Sequence, residues 1–313
     1  MNDETQAKTR LLVTPDRDGE RLDIFLAAST ELSRRAARRI IADGQVWRNG
    51  GALRVQSKSV ATGDVVDIRL PESELGIDAA SPPVAIETLF EDRWLVIAAK
   101  RAGILSQPAE GRGPGDPLAF DQQVLLALAW REGSKPFLRM VHRLDRMTSG
   151  AVLFARSPDV LPKLSRAWRE GRVERFYLAV VEGHPSSSAF DVDLPIARDF
   201  DHRWRFQCDD SGKASRTEIE VIAELDEDLS VVGCRLDTGR THQVRVHLAA
   251  AGHPVLGDRL YHSQLADQVK RPLLHAASLG LPHPATGDRL HVVCPPPADL
   301  ARYLPEDFDL SNI

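Results

Sequence analysis

The spacing of apolar residues changes along the chain, and each change predicts an element. Over residues 19–28, Leu22, Phe25 and Leu26 fall on one face of a helical period, which predicts a helix. A second helix is predicted to begin after Ser33, a good N-cap, and to stop at Gly44, a good C-terminal residue. Residues 45–48 and 64–69 read as short strands, with Asn49-Gly50 supplying a turn that tolerates positive φ. Further on, Ala151-Val152-Leu153-Phe154-Ala155 is short enough to be a buried strand, and residues 176–183 read as another from their β-branched and aromatic content. Val244, Leu248 and Ala251 share one helical face. Thr241 suits the N-cap of that helix, and Gly252 before His253-Pro254 ends it.

At 313 residues the chain exceeds one average domain, and two are expected. Residues 71 to about 85, with Pro71, Gly76, Ser81, Pro82 and Pro83, have linker composition. The predicted organisation is a polar tail at 1–16, a small module of a helix pair and short strands at 17–72, a linker at 73–85 and a larger domain at 86–313. A 42% hydrophobic content is ordinary globular material. There is no run of about 18 apolar residues, and the beginning is polar and acidic, so a soluble cytoplasmic protein without membrane contact is expected. Cys208, Cys234 and Cys294 are odd in number and far apart, which suggests free thiols rather than a disulfide framework or a metal site.

The net charge of -5 says little by itself, because the charges are segregated. Between residues 33 and 58, Arg34, Arg35, Arg38, Arg39, Arg48, Arg54 and Lys58 face the single acid Asp43. Arg34 and Arg38, like Arg35 and Arg39, are four apart and make a basic stripe on the second helix. The stripe reads equally as a solvated face or a phosphate-reading surface. Glu218, Glu220, Glu224, Asp226, Glu227 and Asp228 crowd one stretch that reads as a solvated face.

The densest candidate chemistry is Val141-His142-Arg143-Leu144-Asp145-Arg146-Met147-Thr148-Ser149-Gly150, which places one carboxylate between two arginines ahead of the 151–155 run. Cations on both sides favour the ionised acid, able to act as nucleophile or base. The same residues also fit a surface ion-pair cluster of little consequence. Tyr177, read alone, is a core tyrosine with its hydroxyl satisfied. His242 and His247 are five apart, a poor spacing for chelation from one helix, and no phosphate loop or GxGxxG occurs. No metal and no cofactor are expected.

The decapeptide resembles the HRLDxxTSG signature of the RluA family of pseudouridine synthases. Arg175 to Gly183 resembles the family's RxYxAxVxG, and the run starting Gly239-Arg240-Thr241-His242-Gln243 its GRTHQxRVH. Leu273-Leu274-His275-Ala276 and His283-Pro284 are similar to its LxLHA and HP segments. The segment 212–217 matches GKxAxT in part, with Ala214-Ser215 in place of Pro-Ala, and reads as a scaffold strand; Ala99-Lys100-Arg101 stands where the family has Asn-Lys-Pro. Residues 17–72 resemble the small RNA-binding module named after a small-subunit ribosomal protein. The likeness covers about residues 17–300.

The resemblance implies an α+β protein whose catalytic domain is built on a mixed, largely antiparallel sheet. It implies isomerisation of uridine to pseudouridine in structured RNA, without cofactor, by a monomer needing no protein partner. Asp145 would be the catalytic carboxylate, paired with Arg245, and would act on sugar or base. Tyr177 would stack on the flipped base, Leu274 pack under it, and Arg143 fill the vacated space. Arg34, Arg35, Arg38 and Arg39 would read phosphates, as would cations along 163–175. The RNA-binding module favours large-subunit ribosomal RNA, and the 195–217 segment looks closer to members that also act on transfer RNA. The competing readings are a catalytically silent RNA-binding protein and a glycoside hydrolase that would release free uracil.

Overall fold

The computed structural model describes residues 8–30, 32, 34–55, 57–69, 84–109, 116–226 and 228–312. Ser33, the last residues of the expected module (70–72) and residues 73–83 of the expected linker lie outside them. The chain divides into two compact units, Met1–Ala80 and Ser81–Ile313. Among the described residues no helix is long and apolar enough to cross a membrane.

In the first unit, β1 (Lys8–Leu12) precedes α1 (Leu22–Ser29) and α2 (Arg34–Ala42), followed by β2 (Val46–Arg48), β3 (Gly51–Ala52) and β4 (Val65–Arg69). The four strands form one sheet in the order β1-β4-β2-β3. The core is made by the periodic positions: Leu22, Phe25 and Leu26 of α1, Ile40 and Ile41 of α2, and Val66 and Ile68 of β4. One expectation fails here. Residues 8–12 are not part of a loose tail but a strand, with Leu12 opposite Val65 and Lys8 opposite Arg69. The open edge of β4 recruits this segment through backbone hydrogen bonds, which side-chain polarity does not report. Residues 1–7 of that expected tail lie outside the described ones.

The basic stripe of α2 is also less free than its composition suggests. Asp23 in α1 is fully buried and accepts hydrogen bonds from Arg21 Nε at 3.0 Å, Arg34 Nε at 3.1 Å and Arg38 Nε at 2.7 Å. Burial alone would raise the pKa of Asp23; the three guanidiniums outweigh it and hold the acid well below the ordinary carboxylate range.

In the second unit, β5 (Thr88–Glu91), β6 (Leu95–Lys100), α3 (Phe120–Glu132), β7 (Arg139–Met140) and β8 (Ser149–Ala155) come first. Then follow α4 (Leu161–Arg169), β9 (Glu174–Glu182), β10 (Ala189–Asp193), β11 (Ile196–Arg198), β12 (Phe206–Cys208), β13 (Arg216–Leu225) and β14 (Leu229–Leu236). The chain ends with α5 (Gln243–Ala250), β15 (Leu274–Pro282), β16 (Arg289–Val293) and α6 (Ala298–Ala301). A ten-stranded sheet runs β10-β13-β14-β9-β15-β8-β6-β5, with β16 beside β15 and β7 beside β8. Of its described pairings only β15 with β8 is parallel, so the sheet is mixed and largely antiparallel as expected. The run 151–155 is apolar throughout because both faces are covered. Val152 and Phe154 pack with Phe120, Val124 and Leu128 of α3, while Ala151, Leu153 and Ala155 pack with Leu164 of α4.

The parallel contact needs a glycine. Gly150 has φ 129°, and a Cβ there would lie 2.3 Å from the Ala276 carbonyl oxygen. Its absence lets β8 and β15 meet with Gly150 opposite Ala276, just after the segment carrying Asp145.

Replacing Asp23 by Ala should lower the stability of the first unit by roughly 1.5–3 kcal/mol, the range for hydrogen bonds to a charged group. Because the folded carboxyl has the lower pKa, its contribution is complete above the unfolded value of about 4 and is lost as pH falls towards the folded value. Hydrogen exchange of the α1 and α2 amides between neutral and acid pH checks this. The wild type should lose protection more steeply than Asp23→Asn, and equal slopes would mean that the acid does not anchor the helices.

Candidate active site

Asp145 lies in the irregular segment between β7 and β8, held from below by groups distant in sequence. The Ser106 hydroxyl donates to the Leu144 carbonyl at 2.6 Å and accepts from the Leu144 amide at 3.0 Å. Lys100 Nζ, almost wholly buried, donates to the carbonyls of Arg101, Ile104 and Arg146 at 3.1, 2.9 and 3.2 Å. Arg271 Nη1 reaches the Met147 carbonyl at 3.3 Å. These donors satisfy carbonyls that no strand partner serves. Lys100 thereby fixes the loop in which the family's usual Asn and Pro are replaced.

Helix α5 supplies the other wall. It starts one residue later than Thr241 would cap it: His242, with φ 60°, stands at the N-cap, and Gln243 at the first helical position braces the turn before it. The Gln243 side-chain oxygen accepts from Thr238 Oγ1 at 2.8 Å and from the Arg240 amide at 3.0 Å, while its amide donates to the Arg216 carbonyl at 2.9 Å. One buried side chain thus fixes the turn before the helix.

Arg245, in the first turn of α5, is 8% exposed. Its Nε and Nη2 donate to Asp258 Oδ2 and Oδ1 at 2.6 and 2.9 Å, and its Nη1 donates to Asp145 Oδ2 at 3.1 Å. Burial works against the guanidinium, but Asp258 and then Asp145 more than compensate and raise its pKa. The Tyr261 ring lies under the guanidinium, 4.9 Å from its carbon. The Tyr261 hydroxyl accepts from the Phe206 amide at 3.0 Å and lies 2.8 Å from His242 Nδ1. The tautomer consistent with this network has the hydroxyl donating to Nδ1, so that the proton of His242 sits on Nε2, 3.7 Å from Asp145 Oδ2. Burial lowers the pKa of His242, with Asp145 opposing. The Arg245 and His242 contacts of Asp145 both fall on Oδ2.

The Asp145–Arg245 pair that the resemblance implied is present. Of the two arginines beside Asp145 in sequence, Arg143 and Arg146 are both exposed, and Arg146 Nε turns away to the Gly103 carbonyl at 3.0 Å. Arg143, Asp145, Tyr177, Arg245 and Leu274 line one pocket, together with Thr148. Leu274 is buried and Tyr177 half-buried. Burial pushes the Tyr177 phenol up to about 12, with Arg175 opposing and Asp145 adding, so the hydroxyl is protonated at neutral pH. Of the stripe residues, which belong to the first unit, Arg34 and Arg38 lean on Asp23 and Arg39 is exposed; the Arg35 side chain lies outside the described ones.

The other histidines do not reach the pocket. His247 is buried between Thr217 Oγ1 at 2.9 Å and the Leu194 carbonyl at 3.0 Å. His142 accepts from the Leu153 amide at 3.1 Å and stacks on Trp168, and burial pushes its pKa down to about 3. His275 bridges Ser149 and the Cys294 carbonyl. Sequence reasoning missed Asp258, Tyr261, Gln243 and the site role of His242. The one local cue to Asp258 is Gly257, whose φ of 87° and contact with the Arg271 carbonyl (2.2 Å from an added Cβ) mark a tight crossing.

The sequence model of the RNA pseudouridylate synthase family matches residues 94–250, and that of the S4 domain matches residues 20–66. An uncharacterized RNA pseudouridine synthase of Mycobacterium bovis is 35% identical over 298 residues, covering 91% of this chain and 94% of the relative. Ribosomal large subunit pseudouridine synthase D of Zymomonas mobilis is 33% identical over 317 residues, covering 93% and 95%. Among solved structures, Human RNA Pseudouridylate Synthase Domain Containing 1 is similar with a TM-score of 0.56 at 27% identity, over 67% of this chain and 83% of that one.

Arg245→Ala leaves Asp258 buried without its partner and should cost about 3–5 kcal/mol. Asp258→Ala, which strands the guanidinium instead, should cost a similar amount. The double change Arg245→Ala with Asp258→Ala should cost less than the sum of the two single ones. Denaturant unfolding of the three variants gives the coupling, and strictly additive losses would show that the two side chains do not act as a pair.

Proposed function

Because this chain belongs to the RNA pseudouridylate synthase family, we propose that it isomerises uridine in large-subunit ribosomal RNA, with Asp145 as the catalytic carboxylate acting on a nucleotide turned out of its stack. As an RNA pseudouridine synthase it is an isomerase that acts on RNA. The observation that carries the finer reading is the Arg245 guanidinium: locked by Asp258, it holds one oxygen of Asp145 in a pocket that Tyr177 and Leu274 also line.

The isomerisation breaks the bond between the ribose and the uracil nitrogen and joins the ribose to the fifth carbon of the ring. That carbon loses a proton, the freed nitrogen gains one, and no oxidant or energy source is needed. A carboxylate serves either by attack at the sugar or by addition to the base. In both routes negative charge leaves or shifts on Asp145. A donor fixed before the substrate arrives stabilises such changes without reorganising, which is the part read for Arg245. Unstacking the uridine costs a few kcal/mol. Tyr177 and Leu274 present an aromatic and an aliphatic surface that offset part of this, and Arg143 at the exposed rim suits the space left in the RNA. The S4 domain match supports RNA contacts by the first unit, and the Zymomonas relative named for the large subunit supports that target.

Release of tritium from RNA labelled at the fifth carbon of uridine tests the reaction, since only the isomerase must lose that hydrogen. Asp145→Asn should reduce release by about a thousandfold or more while keeping the melting temperature. Residual turnover above a few per cent would remove Asp145 from the chemistry. A wild type that binds RNA but releases no tritium would make the chain a silent RNA-binding protein. Comparing pseudouridine maps of total RNA from cells with and without the protein checks the target, and a lost site outside large-subunit RNA would overturn that part.

Tyr177 divides into ring and hydroxyl. Tyr177→Leu should lose most turnover, because it removes the stacking face. Tyr177→Phe should retain near-normal turnover if stacking is the whole role; a large loss, read in the same assay, would give the protonated hydroxyl a part in moving the proton from the fifth carbon.

A further inference from the structure

A hairpin beside the Asp145 pocket carries two large aromatic side chains that the fold leaves in solvent. β11 and β12 pair antiparallel with Arg198 opposite Phe206, and the loop between them exposes Phe200 at 89% and Trp204 at 64%. A lone exposed apolar residue calls for no explanation, but two aromatics of this exposure on one short loop do. The loop is internally braced: Asp199, itself buried, receives the Arg205 guanidinium and the Asp201 amide. Neither aromatic belongs to any core cluster of the unit.

The hairpin stands on the machinery of the site. The Phe206 amide donates to the Tyr261 hydroxyl, and the Phe206 ring meets His242 edge-on with centroids 5.7 Å apart. His242 Nε2 in turn lies 3.7 Å from Asp145. Trp204 is two residues before Phe206, so its Cα lies within about 7 Å of that anchor. Arg198 at the end of β11 and Arg203 on the loop are exposed, and the exposed acid of the loop is Asp201. The Arg203 guanidinium sits over the Trp204 ring at 4.8 Å. At the pocket itself, Arg143 and Arg240 add two further exposed cations.

We propose that Phe200 and Trp204 are stacking platforms for unpaired bases flanking the nucleotide in the Asp145 pocket, with Arg198 and Arg203 on the adjoining phosphates. The proposal rests on the reading that this pocket takes a uridine of RNA. Turning one nucleotide out deprives its neighbours of a stacking partner, and an aromatic ring within a few residues of the pocket replaces it. Every base has a π-face, so such platforms grip without demanding sequence, and arginines between them meet the backbone. A protein partner would favour a continuous apolar patch. Here Asp201, His202 and Arg203 separate the two rings, an alternation of apolar and polar groups that matches base and phosphate.

The test uses the full-length protein and a large-subunit ribosomal RNA transcript tritiated at the fifth carbon of uridine. Phe200→Ala and Trp204→Ala should each raise KM about tenfold, at the lower end of what loss of one stacked base costs. The kcat should hold within about twofold, and Phe200→Tyr and Trp204→Phe should stay near wild type. The melting temperature should not move, because both side chains are in solvent. The unlabelled transcript should also quench the fluorescence component that Trp204→Phe removes. An unchanged KM in the double alanine variant would overturn the proposal and assign the rings to a protein partner. Equal losses in the aromatic-conserving variants would overturn it too, since stacking would not be the cause. If the wild type releases no tritium, the catalytic reading fails, and the Trp204 quench then decides this proposal: quenching upholds it, and no quenching overturns it.

Discussion

Arg245 shares its guanidinium between two carboxylates from a position almost out of water, and the geometry of the Asp145 pocket follows from that sharing. Desolvating a guanidinium and a carboxylate costs several kcal/mol for each ion, an amount recovered only where the hydrogen bonds are well made. Asp258 supplies that geometry by taking Nε and Nη2 together. A two-point bond to a planar group fixes the plane, so the two N–H directions of Nη1 are fixed with it, and Asp145 accepts from Nη1. A lysine could match the charge but not the fixed plane. Position therefore passes from Asp258 to Asp145 through the rigidity of a single side chain.

Asp145 meets this donor from a segment that has no regular structure of its own. The carbonyls of Arg146 and Met147 are served by Lys100 and Arg271, both nearly buried, and the Leu144 amide and carbonyl by one serine. Burial pushes the pKa of Lys100 down to about 7, against the attraction of Asp145 and with the help of Arg271. The loop is thus tied to β6 and to the start of β15. The missing Cβ of Gly150 lets β8 and β15 run together at the same level. Asp145 of the acceptor loop and Arg245 of the donor helix are 100 residues apart in the chain, and the sheet sets their distance.

Much of this was legible in the sequence because it is periodic or contiguous. The 151–155 run read as a strand since apolar residues on both faces are a local property, and α1 and α2 announced themselves by Leu22, Phe25 and Leu26 and by the stop at Gly44. The strand at residues 8–12 did not, because what places it is a vacant backbone edge. The Asp145–Arg245 pair was legible only through the resemblance. Proximity in sequence pointed to Arg143 and Arg146 instead, but in an irregular loop neighbouring side chains diverge, and Arg146 points to Gly103. Asp258 and Tyr261 follow α5 at intervals that match no period, so only the folded chain brings them under Arg245.

The two units use one physical device. In the first, buried Asp23 gathers Arg21, Arg34 and Arg38; in the second, buried Asp258 gathers Arg245. A hydrophobic substitute would often be as stable or more so, so stability alone does not account for either cluster. What a buried carboxylate adds is aim. It draws the guanidinium to a set place and orientation while keeping its charge. In the second unit that charge ends at Oδ2 of Asp145. In the first it ends on a helix face where Arg34 and Arg38 remain about half exposed, 51% and 43%. A stripe of long cationic side chains free in water would lose rotamer entropy on meeting an anion. Two of its members already held by Asp23 have less of that freedom to lose, so the buried acid of the helix pair also sets where two charges of its basic face stand.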